Sequence, residues 1–260
     1  MAVITLTHAT GAPGTTTSAL GLTMYWPRPV ILVEADLSGA SIPAGYKRGE
    51  WDLSRGLTSL TVAQYQSPHQ WTLRDHTVPL TGHAEVLLGI PSSSAAKSVR
   101  SLWPVLITAL KSLDESGVDA IVDLGRLTPE PDDRDGLVNG ADLSILVTGT
   151  RLPDIYAARH HARRLTAHGP GTDSGLTGMS LLPVGPGRPY ATREVSKVTG
   201  LSAIAEVPWD PVNAEVYSVG AQPGRKHATS SLVRSYEAAG VQIRTQIESN
   251  EQLLRGGLAR

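Results

Sequence analysis

The 260 residues carry a formal net charge of −1, with 23 basic against 24 acidic side chains, so no global field draws the chain to nucleic acid or an anionic membrane. Zero cysteine excludes a disulfide framework and every thiolate metal site, and the eight histidines include no HExxH pair. No apolar run approaches the roughly 20 residues of a membrane-spanning helix, and Met1 to Leu6 lacks the basic region of a signal peptide, so a cytoplasmic protein is expected.

In chain order, short apolar runs ended by turn residues predict strands at Val3 to Thr7, Val30 to Glu34, Glu85 to Ile90, Ala120 to Leu124, Leu143 to Thr148, Ser180 to Val184 and Ala203 to Val207. Segments with helical spacing fall between most of them, at Thr16 to Tyr25, Ala95 to Ser116, Pro153 to Ala167, Thr192 to Thr199 and Ser230 to Leu254. Apolar runs without strict alternation suit strands buried on both faces, and their alternation with helices implies βαβ crossovers. The predicted class is α/β, a mostly parallel sheet with helices on both faces. Ala44 to Gly82 reads as surface excursions with room for an edge hairpin, and Gly169 to Gly178 as a connecting loop.

The most informative stretch is Thr10-Gly11-Ala12-Pro13-Gly14-Thr15-Thr16-Thr17, directly after the first strand and at the start of a helix. Small residues there let successive backbone N–H groups converge on phosphate oxygens, and the helix N-terminus turns its partial positive charge toward the anion. Thr16 stands where a Mg²⁺-binding hydroxyl belongs. Two acidic strand ends follow, Glu34-Ala35-Asp36 and Asp123, and a turn Val207-Pro208-Trp209-Asp210-Pro211 comes after the last predicted strand.

These stretches resemble the deviant-Walker P-loop ATPases of the ParA/MinD family, whose phosphate loop reads Lys-Gly-Gly-x-Gly-Lys-Thr-Thr. Gly11, Gly14, Thr16 and Thr17 match, while Thr10 and Thr15 stand in place of both lysines; no lysine precedes Lys47, and the first arginine is Arg28. Together the matching motifs span about residues 1 to 225, and they look similar to actinobacterial MinD-like proteins. The resemblance implies one P-loop domain over 1–260, with 226–255 as a C-terminal helix, and ATP with Mg²⁺ as cofactor. It puts Gly11, Ala12, Pro13, Gly14, Thr15, Thr16 and Thr17 on the nucleotide, Pro208 and Asp210 at the adenine pocket, and Thr16, Asp36 and Asp123 at the metal, with Asp36 catalytic. It further implies a homodimer and a protein partner in a positioning or partition system, and leaves sequence-independent DNA contact as a candidate.

Loss of a charge-assisted bond to phosphate costs roughly 1.5 to 3 kcal/mol, so binding survives it better than hydrolysis does. Weak or absent turnover is therefore expected. The alternative is a scaffold of the same fold that binds partners without nucleotide turnover. A Rossmann reading, with Glu34 as ribose-binding acid, lacks the third glycine of G-x-G-x-x-G. Thr192 to Ser202 has a helix-turn-helix flavour, but Ala203 to Val207 leaves no recognition helix; a crossover helix capped by Thr192 and ended by Gly200 is preferred. Arg159, His160, Arg163 and Arg164 form a basic helix face. The C-terminal helix mixes Glu237, Glu248 and Glu251 with Arg234, Arg244 and Arg255, which argues for packing on the domain or on a second copy and against membrane attachment.

Overall fold

The computed structural model describes residues 1–11, 14–68, 70–127, 131–167 and 178–257, with backbone alone at 167 and 254–257. In chain order the strands are β1 (Val3–His8), β2 (Val30–Glu34), β3 (Val78–Pro79), β4 (Ala84–Leu87), β5 (Asp119–Arg126), β6 (Leu143–Gly149) and β7 (Met179–Val184). The helices are α1 (Thr15–Met24), α2 (Leu57–Gln66), α3 (Trp103–Ser112), α4 (Asp135–Gly140), α5 (Leu152–Ala167), α6 (Thr192–Thr199), α7 (Pro211–Ser218) and α8 (Ser231–Gly257). One seven-stranded sheet results, ordered β3-β4-β2-β5-β1-β6-β7, parallel throughout except for the β3–β4 pair.

Successive strand residues point to opposite faces, and both faces are covered. Val30, Leu32, Ile121, Ile145 and Val147 enter the core shared with α1, α7 and α8, while Ile31, Val33, Ala120 and Val122 enter the core shared with α2 and α3. Leu146 and Leu181 pack with Ile155, Ala158 and Val195 of α5 and α6. This two-sided burial explains why the strand segments carry apolar runs and no alternation.

Three expectations are corrected. Ala203 to Val207 is no strand; it touches β7 only through isolated bridges at Leu181–Ala203 and Val184–Val207. Leu181 N–H donates to the Ser202 carbonyl at 2.9 Å and Gly185 N–H to the Val207 carbonyl at 2.8 Å, but Pro183, on the same side between them, has no N–H to continue the ladder. The helix expected from Ala95 to Ser116 is confined to α3, with 3₁₀ turns before and after it, because Pro104 is tolerated only in the first turn. α6 is N-capped by Ala191, whose N–H donates to the Glu194 carboxylate at 2.9 Å, and Thr192 is its first residue; Gly200 ends it in the left-handed region.

The region from Ala44 to Gly82 holds α2 besides β3, which pairs antiparallel with β4 just beyond it to make the edge hairpin. α2 buries only Leu57 and Leu60, too few for an apolar stripe to show in the sequence. β4 is shorter than expected at its C-terminal end because Leu88 leaves the ladder to accept the Leu57 N–H, and the Gly89 N–H donates to Glu34. The loop expected at Gly169 to Gly178 lies almost wholly outside the described residues.

Candidate functional site

β1 delivers the chain to the C-terminal edge of the sheet, and α1 leaves it there. Gly14, the N-cap of α1, has φ 83° and ψ 37°, a left-handed conformation that favours glycine. No side chain caps this helix end, so its first N–H groups are left for another acceptor. Ala12 and Pro13 lie outside the described residues. Thr15 is buried, and its hydroxyl has no hydrogen-bond partner among the described residues.

Thr16 Oγ1 donates to Asp123 Oδ2 at 2.5 Å, and the Gly125 N–H donates to Asp123 Oδ1 at 2.9 Å. Asp123 is fully buried and makes no ion pair with the described residues. Burial pushes its carboxyl up to about 7; the bonds from Thr16 and Gly125 pull it back, and the charges of Asp36 and Glu34 add to the push. Asp36 lies over Gly125, where a Cβ would stand 2.2 Å from the Asp36 carboxyl carbon, and it accepts the Ser38 N–H at 2.8 Å. Gly125 has φ 58°, so both its backbone and its missing side chain make room for Asp36. Thr16, Asp36 and Asp123 therefore meet at one place.

Arg134, which sequence reasoning missed, ties these strand ends together. Its guanidinium is buried and uses all five donors. Nη1 serves the carbonyls of Ala35 (3.0 Å) and Leu124 (2.5 Å), Nη2 that of Arg126 (3.0 Å), and Nε and Nη2 grip the two oxygens of Asp132 at 2.8 Å each. The sequence signal, an Asp-Asp-Arg run after the β5 acid, gives no hint of a reach back to residue 35. Two further buried groups carry no sequence signal. His8, at the end of β1, and His161, on α5, each bury one ring nitrogen that has no hydrogen-bond partner among the described residues, and burial lowers the pKa of both, to about 4 for His161.

Beside the phosphate loop opens a largely apolar cavity of about 280 Å³, lined by Gly14 and Thr17 on one side and by Pro208, Asp210, Ala214 and Tyr236 on the other. The predicted turn residues, far along the chain, thus reach the loop. The Asp210 carboxylate is engaged as the N-cap of α7, accepting Asn213 N–H at 3.2 Å and Asn213 Nδ2 at 2.7 Å. Glu34 is fully buried and accepts N–H groups of Ser41, Ile42 and Gly89, which removes it from any ribose-binding role. Arg164 leaves the basic face of α5: it forms a two-pronged ion pair with Asp135 of α4 at 3.0 and 3.1 Å. Arg159, His160 and Arg163 remain there.

No protein-family model matches the chain, and no curated relative does. Solved structures do. The cell division ATPase MinD of Pyrococcus furiosus superposes with a TM-score of 0.72 at 16% identity, over 94% of this chain and 98% of that one. The septum site-determining protein MinD of Pyrococcus horikoshii OT3, complexed with Mg-ADP, gives 0.68 at 17% identity over 93% and 95%. A ParA family ATPase of Chlorobium tepidum TLS gives 0.66 at 14% identity over 92% and 97%. At such identities the likeness is one of architecture, and it bears out the resemblance read from the phosphate loop and strand ends: this chain has the α/β fold of the MinD and ParA P-loop ATPases.

Proposed function

We propose that the chain is a nucleotide-binding protein of the positioning and partition type, taking ATP with Mg²⁺ at the loop Gly11 to Thr17 and hydrolysing it weakly or not at all. The observation that carries the reading is the Thr16–Asp123 pair. A buried carboxylate without a cationic partner among the described residues, hydrogen-bonded to a hydroxyl at the first turn of the loop's helix, is a costly arrangement that a divalent cation reverses. Thr16 and Asp123 would hold Mg²⁺, with Asp36 beside them; Gly14 and the N–H groups of α1 would hold phosphate, and the cavity at Pro208 and Asp210 would take the base. Bound Mg²⁺ supplies charge neutralisation to the phosphates. The chain's own residues hold the loop open at Gly14 and fix the acids through Arg134 and Gly125.

Weak turnover follows from the loop's missing lysines, since positive charge on the transferred phosphoryl is most of what this chemistry requires. The same loss supports the second reading, a scaffold of this fold that engages partners without turnover. Residues 1–260 act in either case as one domain, a reading supported by every described strand joining one sheet and by α8 packing on its core. A homodimer, and a protein partner in such a system, complete the proposal. Any sequence-independent DNA contact would rest on Arg159 and Arg163.

Isothermal titration with ATP and ADP in Mg²⁺ tests this. Saturable binding is expected, abolished by Gly14→Asp, which puts a side chain at φ 83° and a charge against the phosphates. Thr15→Lys is expected to tighten binding by on the order of 10-fold. Absence of binding would leave the scaffold reading; brisk hydrolysis lost in Asp36→Ala would overturn the low-turnover part.

A further inference from the structure

A second cavity, of about 290 Å³, flanks the phosphate loop on its Gly11 side. Its wall is built by Arg151, Arg188 and the Asp154 that Arg151 holds, with Gly149 at the end of β6, Thr150 just after it and Gly185 after β7. It shares Val184 and Trp209 with the apolar cavity, so one continuous cleft has an apolar end and a cationic end, with the loop bordering both.

The backbone carrying the two arginines is fixed. Thr150 is buried, and its hydroxyl meets the carbonyls of both Gly185 (2.7 Å) and Arg188 (2.9 Å), so one side chain sets the distance between the β6 end and the 185–190 turn. Within that turn Arg188 N–H donates to Gly185 O at 3.2 Å and Gly187 N–H to Tyr190 O at 2.8 Å. The guanidiniums themselves are lightly committed. Arg188 makes no side-chain hydrogen bond or ion pair among the described residues. Arg151 holds Asp154 (14% exposed) through Nε alone at 3.3 Å; its own side chain is 76% exposed, and its two Nη groups make no hydrogen bond among the described residues. Two other arginines near this edge are occupied: Arg134 spends every donor on carbonyls and Asp132, and Arg164 pairs with Asp135. Near the loop lie Asp36, Asp123 and Glu34, which repel an anion unless cations offset them.

We propose that Arg151 and Arg188 form the cationic wall of a polyphosphate subsite and supply within the chain part of the charge for anion binding, not for phosphoryl transfer, that the phosphate loop lacks. Their planar forks suit phosphate oxygens, which a loop of threonines and glycines meets only with neutral donors, backbone N–H groups and hydroxyls. The proposal rests on the nucleotide reading above and specifies which residues recognise the anionic part.

The test is isothermal titration of the full chain, in Mg²⁺ buffer, with ATP, inorganic tripolyphosphate and adenosine as probes. The proteins are wild type, Arg151→Gln, Arg188→Gln, the double variant, Arg188→Lys and the remote control Arg193→Gln on α6. Each glutamine is expected to weaken ATP and tripolyphosphate by about 10-fold and the pair by about 100-fold. Lysine at 188 should restore part of the loss, while adenosine affinity, the melting temperature and the control stay unchanged. Wild-type affinity for ATP in the double variant would overturn the subsite and leave the nucleotide reading standing. Arginine-dependent binding of tripolyphosphate without binding of ATP would support the subsite and overturn that reading. Failure of wild type to bind either anion would overturn both.

Discussion

Asp123 and His161 set opposing pH dependences within one site region. The folded Asp123 carboxyl is raised to about 7, so between about pH 4 and 7 the native chain keeps a proton that the unfolded chain releases; stability from this group is full below pH 4 and lost as pH rises through 7. His161 is lowered from 6.5 to about 4, so its neutral burial stabilises fully above pH 6.5 and is lost as pH falls through 4. The two slopes have opposite sign in the same window and largely cancel. Asp123→Asn removes the first. Ionising a carboxyl held at about 7 in the folded chain costs roughly 4 kcal/mol of stability by pH 8, and loss of one hydrogen bond returns about 1 to 2 of these, so the variant should gain on the order of 2 kcal/mol there. It should then lose stability on acidification more steeply than wild type, because only the histidine slope is left. Melting temperatures of both proteins at about pH 5 and pH 8 check this; parallel pH profiles would show that Asp123 is ionised at no cost. A carboxylate that destabilises the free protein is what a cation site at Thr16 and Asp123 requires.

At the scale of elements, α1 and α8 approach each other closely at Gly21. A Cβ on Gly21 of α1 would stand 2.2 to 2.6 Å from ring atoms of Tyr236, so glycine is needed for close approach and not for its dihedrals. Arg244 of α8 reaches Asp119 at 3.4 Å, and that buried carboxylate also accepts the Ala2 N–H and Trp26 Nε1. Gly21→Ala should therefore cost about 1 to 3 kcal/mol by overpacking, and a second change, Tyr236→Leu, should recover part of it; equal melting of Gly21→Ala and wild type would contradict the close approach. Neither Gly21 nor Arg244 is marked in the sequence, because each owes its role to a partner over 100 residues away. Features that are local in the chain are legible in it. Strands buried on both faces show as apolar runs, the phosphate loop lies within eight contiguous residues, and Asp36 follows β2 and Asp123 lies in β5, strands whose order is visible. Pro183 broke the expected last strand from within its neighbour β7, α2 lacked a stripe, and Arg134 acts at a strand end 99 residues upstream.

For the whole molecule, the disposition of α8 decides what the C-terminal end can contact. Leu232, Val233, Tyr236, Ala239, Ile243 and Ile247 are all buried, and all but Val233 belong to the core that α8 shares with α1 and the sheet, so its apolar face is spent on the domain. The outer face carries Arg234, Glu237, Gln242, Thr245, Gln246 and Glu248. Its exposed large apolar side chains among the described residues are Val241 (57%) and Leu253 (75%), and twelve helical residues at 100° each set them about 120° apart, so they form no stripe. No described helix is long and apolar enough to cross a membrane, and the net charge of −1 offers anionic lipid no general attraction. An interfacial helix needs a wide apolar face rimmed by bases, and α8 could present one only by leaving the core, which would open the cavity at Tyr236 and the Arg244–Asp119 contact together. The full chain should therefore stay behind when anionic liposomes float through a density gradient, with and without Mg-ATP. Flotation abolished by Val241→Asp with Leu253→Asp at an unchanged melting temperature would instead mean that these two exposed positions suffice as an anchor.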